Sequence, residues 1–248
     1  MSDQLRSFLF AAATCLVCTI SLTAASTGLK ELQQKNIAMD RQKNILKSVG
    51  LIHENVGYTH EEINKLYADN IKYIFVDSKG SIIKKDQKAK KKLPVYIYMK
   101  NDRIESYILP IDSRGLWGRI LGYLALKNDG STIAGFTVYK HSETPGLGGE
   151  IEKRWFQKNF EGKKIVSRTG NFLSISIAKG ALTDTVPEDR RMNVVDGISG
   201  ATLTGKYLSS GLKDILLEYE PVSLKFRTKK LLRLTAGQTS RPGRKEKE

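Results

Sequence analysis

Ile120-Leu121-Gly122-Tyr123-Leu124-Ala125-Leu126, then Lys127-Asn128-Asp129-Gly130-Ser131, then Thr132-Ile133-Ala134-Gly135-Phe136-Thr137-Val138-Tyr139: two mostly apolar runs flank a polar tip. An Asp-Gly tip between apolar runs is a strong short-range signal for a β-hairpin. The pattern repeats outward. Residues 95–99 and 104–109 flank Asn101-Asp102, a second hairpin turn. Residues 71–76 form a further apolar run, closed by the turn residues Ser78-Lys79-Gly80. Upstream, Thr59-x-x-Glu62 has capping-box spacing and predicts a short helix to about Tyr67. Downstream, the chain predicts a short helix near residues 151–160 and strands near 165–167 and 172–177. Leu203, Tyr207, Leu208, Leu212, Ile215, Leu216 and Tyr219 form one stripe at helical spacing, which predicts a closing helix over residues 203–219. Strands linked by hairpins, with helices at the edges, predict an α+β fold: a mostly antiparallel sheet with peripheral helices, not a parallel βαβ sheet.

The N-terminus is of another kind. Residues 7–29 carry no charged side chain, and a run of about 23 residues suffices for a helix to cross a bilayer. A cleaved signal peptide is the competing reading, supported by Thr23-Ala24-Ala25-Ser26. The uncharged run is longer than a signal peptide's apolar region, which favours one uncleaved transmembrane helix. Arg6 precedes it, offset by Asp3, while Lys30, Lys35, Arg41, Lys43 and Lys47 follow. On charge alone the large domain would lie in the cytoplasm.

Composition excludes several chemistries. The 248 residues carry a formal charge of +15, and their 40% hydrophobic content is enough for a real core. Both cysteines, Cys15 and Cys18, lie in the apolar N-terminal run, so the rest of the chain cannot build a disulfide framework or a thiolate metal site. His53, His60 and His141 lack metal-ligand spacing, and there is no nucleophile elbow, phosphate-binding P-loop or dinucleotide fingerprint. Two basic stretches, residues 84–92 and 225–248, lack interleaved aromatic residues, so no nucleic-acid binding is expected. They read as a solvated loop, and as a tail available to anionic lipid or a partner.

Chemistry concentrates in Asp196-Gly197-Ile198-Ser199-Gly200-Ala201-Thr202, immediately before the closing helix. Thr202 falls at or near that helix's N-terminus, where free backbone N–H groups and the positive end of the helix dipole favour a phosphate. The simpler reading makes Ser199 or Thr202 an N-cap. A second stretch, His141-Ser142-Glu143-Thr144-Pro145-Gly146-Leu147-Gly148-Gly149, has the proline and glycines of an irregular loop that a ligand can approach closely.

The two stretches together resemble the covalent FMN-binding domain family. Further residues narrow the likeness: Gly115-Leu116-Trp117-Gly118, Gly122-Tyr123-Leu124-Ala125-Leu126, Gly148-Gly149-Glu150-Ile151-Glu152, Trp155 and Phe160-Glu161-Gly162-Lys163-Lys164. With these the chain, over residues 5–220, resembles the C subunits of sodium-translocating NADH:quinone reductases. The FMN subunit of Rnf-type electron-transport complexes is the related alternative, and the Gly148-Gly149-Glu150 run favours the former. A membrane-anchored partner-binding domain without flavin is the reading from another class.

The resemblance implies FMN attached covalently, through its phosphate, to the hydroxyl of Thr202. Ser199, Gly200 and Ala201 would give access to that hydroxyl, and Lys206 one turn on would aid the phosphate. Glu143, Thr144, Leu147 and Gly148 would line the flavin. A threonine hydroxyl needs activation and no histidine adjoins it in sequence, so the resemblance implies a separate flavin transferase for maturation. It also implies partner subunits of a membrane respiratory complex, electron relay toward quinone, and sodium transport by other subunits. The isolated chain is expected to have no complete activity. The implied organisation is a short cytoplasmic N-terminus (1–6), a transmembrane anchor (7–29), an FMN-binding domain on the periplasmic side of the inner membrane (30–222) and a basic tail (223–248). This placement opposes the charge reading and takes precedence, because long domains translocate largely regardless of charge.

Overall fold

The computed structural model describes residues 2–53, 56–84, 91–182 and 186–229, so residues 85–90 of the first basic stretch and 230–248 of the tail lie outside the described residues. The chain divides into two compact units, Met1–Arg41 and Gln42–Glu248.

The first unit contains helix α1 (Asp3–Gly28) and most of helix α2 (Lys30–Ser48). Helix α1 is 26 residues long, has a mean hydropathy of 2.0 over its most apolar window, and buries no residue. It is long and apolar enough to cross a membrane. Its hydroxyls are absorbed internally: Thr14 donates to the Phe10 carbonyl at 2.9 Å and Thr19 to the Cys15 carbonyl at 2.7 Å.

The second unit is the α+β domain that the hairpin pattern predicts. After α3 (His60–Asn70) come β1 (Ile71–Val76), β2 (Ile82–Ile83), β3 (Leu93–Lys100), β4 (Arg103–Arg114), β5 (Arg119–Lys127) and β6 (Ile133–Lys140). They form one antiparallel sheet in the order β2-β1-β3-β4-β5-β6. The capping box of α3 is complete, with Glu62 and Thr59 each receiving a backbone N–H of the other. The β3–β4 turn places both Asn101 and Asp102 at positive φ, 49° and 59°, as a tight hairpin requires. Then follow α4 (Arg154–Lys158), β7 (Ser176–Ile177), β8 (Val194–Val195), α5 (Thr202–Glu218) and α6 (Glu220–Arg227).

The apolar stripe of α5 closes the core. Leu208, Leu212 and Leu216 are fully buried, in one cluster with Tyr107, Leu109 and Ile111 of β4 and Phe136, Phe156 and Phe160. Burying each such side chain contributes about 1.5–3 kcal/mol. The other sheet face is also covered. The Thr137 hydroxyl donates to the Asn44 carbonyl at 3.2 Å, and Gly135 lies against the Ser48 carbonyl, where a Cβ would come within 2.3 Å.

Three expectations are corrected. Residues 165–167 and 172–177 do not form the expected strands. Only the isolated bridge Val166–Phe172 and the two-residue β7 appear, β7 pairing in parallel with β8. Side-chain bonds among Ser167, Thr169 and Asn171, and a positive φ at Ser174, hold this stretch in a loop instead. The helix near 151–160 is a 3-10 turn (Gly148–Glu152) followed by the short α4. Third, α6 runs across the expected start of the tail at residue 223. Ser223 and Phe226 are buried, Phe226 stacks on Tyr107 at 4.1 Å, and the Tyr107 hydroxyl donates to Ser223 at 2.8 Å.

The hairpin tip yields a pH prediction. Asp129 accepts the N–H groups of Ser131 and Thr132 at 2.8 Å and the Thr132 hydroxyl at 2.5 Å. Burial pushes its pKa up, but these hydrogen bonds and nearby Lys164 outweigh burial, and the net pKa is lowered. A carboxylate with a lowered folded-state pKa stabilises the fold above its unfolded pKa of about 3.9, and loses that contribution as pH falls through the folded value. Asp129→Asn is therefore expected to be less stable than the native chain at pH 7, with the gap closing toward pH 3. Urea midpoints at the two pH values check this.

Candidate functional site

Helix α5 begins at Thr202, with Ala201 as N-cap, and no side chain caps it. The first intrahelical bond is Gly205 N–H to the Ala201 carbonyl at 3.0 Å, so the N–H groups of the first turn precede the helical ladder. Neither Ser199 nor Thr202 serves as the cap. Both are exposed, as are Gly200 and Lys206, while Ala201 is buried. An uncapped N-terminus of a 17-residue helix, with an exposed hydroxyl on its first residue, presents partial positive charge beside that hydroxyl.

The approach to the helix is held by backbone. Gly197 N–H donates to the Gly180 carbonyl at 2.7 Å, and a Cβ on Gly197 would meet the Ala178 carbonyl oxygen at 2.0 Å. Asp196 accepts the N–H of Leu182, and Ala201 N–H returns to the Ile198 carbonyl at 3.0 Å. Gly200 has a φ of +74°, the left-handed region that glycine enters without a Cβ penalty. Leu147 lies over it, since a Cβ there would come within 2.8 Å of Leu147 Cδ2. The two stretches singled out in the sequence therefore meet at this point.

A buried carboxylate joins them. Glu143 is 4% exposed. It accepts the Thr204 hydroxyl at 2.5 Å and the Trp117 N–H at 3.0 Å. Three segments far apart in sequence are thereby tied together: the β4–β5 tip at Gly115-Leu116-Trp117-Gly118, the loop after β6, and the first turn of α5. Glycines make room for the carboxylate, since a Cβ on Gly115 or Gly148 would come within 2.5 Å or 2.8 Å of its oxygens. Glu143 thus lies beneath the surface as a clamp, whereas Thr144 and Leu147 are exposed, Leu147 against Gly200, and Gly148 is buried with the clamp.

His141 positions the clamp. Its Nδ1 accepts the Glu143 N–H at 3.1 Å, so in the neutral ring Nε2 carries the proton and faces Glu152 at 3.2 Å. Glu152 is in turn held below the usual carboxylate range, by Lys153 first and by His141. The loop closes on itself, with the Leu147 and Gly149 N–H groups donating to the Thr144 carbonyl at 3.1 and 2.9 Å.

Sequence reasoning passes over Thr204, although it stands two residues after Thr202. Thr204 is 2% exposed and engaged by Glu143, so of the three hydroxyls near the helix start only those of Ser199 and Thr202 are accessible. The same three segments carry exposed apolar side chains: Trp117, Leu147 and Leu203 are 69%, 44% and 48% exposed.

Comparison with known proteins covers the same segments of the chain. The family described as FMN-binding domain matches residues 115–217, from the β4–β5 tip through the closing helix. The chain is 31% identical over 232 residues to the C subunit of the Na(+)-translocating NADH-quinone reductase of Pseudomonas aeruginosa, covering 81% of this chain and 87% of that protein. It is 32% identical over 224 residues to the Vibrio campbellii protein of the same name, covering 77% and 82%. The crystal structure of the corresponding C subunit from Parabacteroides distasonis superposes with a TM-score of 0.66 at 30% identity, over 79% of this chain and 96% of that one.

Proposed function

This chain belongs to the family of C subunits of Na(+)-translocating NADH-quinone reductases, and on that premise we propose that it binds FMN as a phosphoester on Thr202 and relays electrons within a membrane respiratory complex. The observation that carries the reading is the exposed Thr202 hydroxyl at an uncapped helix N-terminus, beside a Thr204 hydroxyl sequestered by Glu143.

The residues fit such a group. A phosphodiester on Thr202 carries one negative charge, which the first-turn N–H groups and the helix dipole favour. Lys206, exposed one turn on, adds a cation. Ser199, Gly200 and Ala201 have small side chains or none, leaving the hydroxyl open to a modifying enzyme. Leu147, held over Gly200, gives an apolar surface for the ring, and Thr144 is exposed in the same loop, its carbonyl accepting the Leu147 N–H. Gly148 keeps the loop close to Glu143 and α5. When bound, FMN supplies the electron-carrying chemistry, while the protein supplies position and electrostatics. No histidine adjoins Thr202 in sequence, which supports maturation by a separate flavin transferase.

The remaining assignments extend the same proposal. Residues 7–29 of α1 and the turn after it act as the single anchor in the inner membrane, with 1–6 cytoplasmic and the FMN-binding domain periplasmic. That domain extends through α6 to Arg227, because Phe226 belongs to its core. Other subunits supply electron donor, acceptor and sodium path. Helix α1 itself has no acidic or basic residue within residues 7–28 to line an ion route.

Thr202→Val tests the proposal. Valine keeps the shape and removes the hydroxyl. Membranes from cells containing the transferase are run on a denaturing gel under ultraviolet light. A fluorescent band at the size of the chain is expected for the native protein and none for Thr202→Val. No band in either lane, with the protein present and exported, would favour an anchored partner-binding domain without flavin.

A further inference from the structure

A cavity of about 260 Å³ opens beside the middle of α5. Ser209 in its wall stands seven residues beyond Thr202, two helical turns or about 10 Å along the axis. Its charged lining is Arg190 and Lys213, with no carboxylate among the lining residues. Neither cation forms an ion pair among the described residues. Four serines, Ser174, Ser176, Ser209 and Ser210, complete the polar wall.

Ser174 stands out among them. Its φ is +72°, a conformation that glycine adopts more readily than serine. It is 4% exposed, and its hydroxyl has no hydrogen-bond partner. Buried hydroxyls are ordinarily satisfied, and backbone strain of this kind concentrates at ligand sites. Two of the other hydroxyls are engaged. Ser209 accepts the Ile177 N–H at 2.9 Å and donates to the Gly205 carbonyl at 2.7 Å, and Ser176 donates to the Asn193 carbonyl at 3.4 Å. What remains is a set of donors, the Ser174 hydroxyl, the Ser210 hydroxyl, a guanidinium and an ammonium, with one unpartnered acceptor, Asn193 Oδ1, whose own amide N–H groups are held by the Lys164 and Val166 carbonyls.

We infer that this cavity is an oxyanion site for a phosphate group, either the free ion or a phospholipid headgroup. Arg190 and Lys213 supply charge-assisted hydrogen bonds. Ser174 supplies the oriented donor that justifies a serine, rather than glycine, at a positive φ. The site is separate from the Thr202 attachment point and does not depend on the flavin reading.

The test is isothermal titration calorimetry of the full chain in phosphate-free maltoside micelles, with orthophosphate at constant ionic strength against a chloride reference. Saturable binding is expected, weakened about tenfold or more in Arg190→Gln and Lys213→Gln, as loss of one charge-assisted hydrogen bond implies. Ser174→Gly is expected to raise the melting temperature, by relieving the backbone, and at the same time to weaken phosphate binding. A purely structural serine would not produce that pair of opposite changes. Thr202→Val should bind phosphate as the native chain does. Adding phosphatidylglycerol to the micelles separates the two sources. Weaker orthophosphate binding then assigns the headgroup, and unchanged binding assigns the free ion. No saturable heat above the chloride reference, or equal binding by the Arg190→Gln, Lys213→Gln double variant, would overturn the inference. So would loss of phosphate binding in Thr202→Val.

Discussion

Replacing Gly197 with alanine is expected to destabilise the domain by about 3 kcal/mol and to stop flavin loading. The added Cβ would stand 2.0 Å from the Ala178 carbonyl oxygen and 2.9 Å from the Gly180 nitrogen, both backbone atoms that no rotamer change can clear. The segments must separate, and the 2.7 Å bond from Gly197 to Gly180 goes with them. Overpacking costs about 1–3 kcal/mol and a lost hydrogen bond about 1 more. The displacement falls on residues 196–202, which set where Thr202 meets its helix. Gly162→Ala is the control. Gly162 has a φ of +79° but nothing within 4 Å of its Cβ position, so only the backbone penalty of about 1 kcal/mol applies. Thermal unfolding of both variants, with flavin-to-protein ratios, checks the contrast.

Glu143→Ala is expected to cost about 3 kcal/mol and to lower flavin loading without touching Thr202, the proposed attachment residue. The carboxylate is the common acceptor for Thr204 and Trp117, and its removal strands a hydroxyl on a 2%-exposed residue as well as a backbone N–H. Hydrogen bonds to charged groups contribute about 1.5–3 kcal/mol each, and the partly buried Trp117 bond lies at the low end. Glu143→Gln keeps the shape and one acceptor oxygen, so its expected cost is nearer 1 kcal/mol, on the order of one neutral hydrogen bond. Urea midpoints rank the three chains, and equal midpoints for Ala and native would remove Glu143 from the clamp.

The hairpins were legible because their tips state their own geometry. Asn101-Asp102 tolerates two successive positive φ values, and Gly130 takes +69° at the other tip. The full reach of β4 was not legible. Pro110 and the polar run Asp112-Ser113-Arg114 interrupt its apolar pattern, yet the strand continues to Arg114. The β3 pairing stops at Ile108, so the missing N–H of Pro110 faces no β3 partner, while β5 pairs as far as Arg114 with Arg119. The parallel pair β7–β8 is two residues long, too short for any period to appear. Helix α6 announced itself only through Pro221 at its start and the spacing of Val222 and Phe226, which a basic composition obscured.

The candidate site divided in the same way. Thr202 and the glycines before it could be placed from the helix that follows them. The role of Glu143 could not, because its partner Thr204 lies 61 residues away and Trp117 26 residues away, and no local pattern marks a carboxylate as buried. Loop composition suggested a ligand-facing residue, and the fold buries Glu143 between the Thr204 hydroxyl and the Trp117 N–H.

Mass spectrometry of the tryptic peptide of residues 192–206 decides whether Thr202 carries the flavin. That peptide contains three hydroxyl side chains, Ser199, Thr202 and Thr204, and fragmentation distinguishes them. FMN, joined with loss of water, is expected on Thr202 alone, because Thr204 is buried against Glu143 and Thr202 is the exposed first residue of α5. Flavin on Ser199 or Thr204, or an unmodified peptide from membranes that contain the transferase, would contradict it.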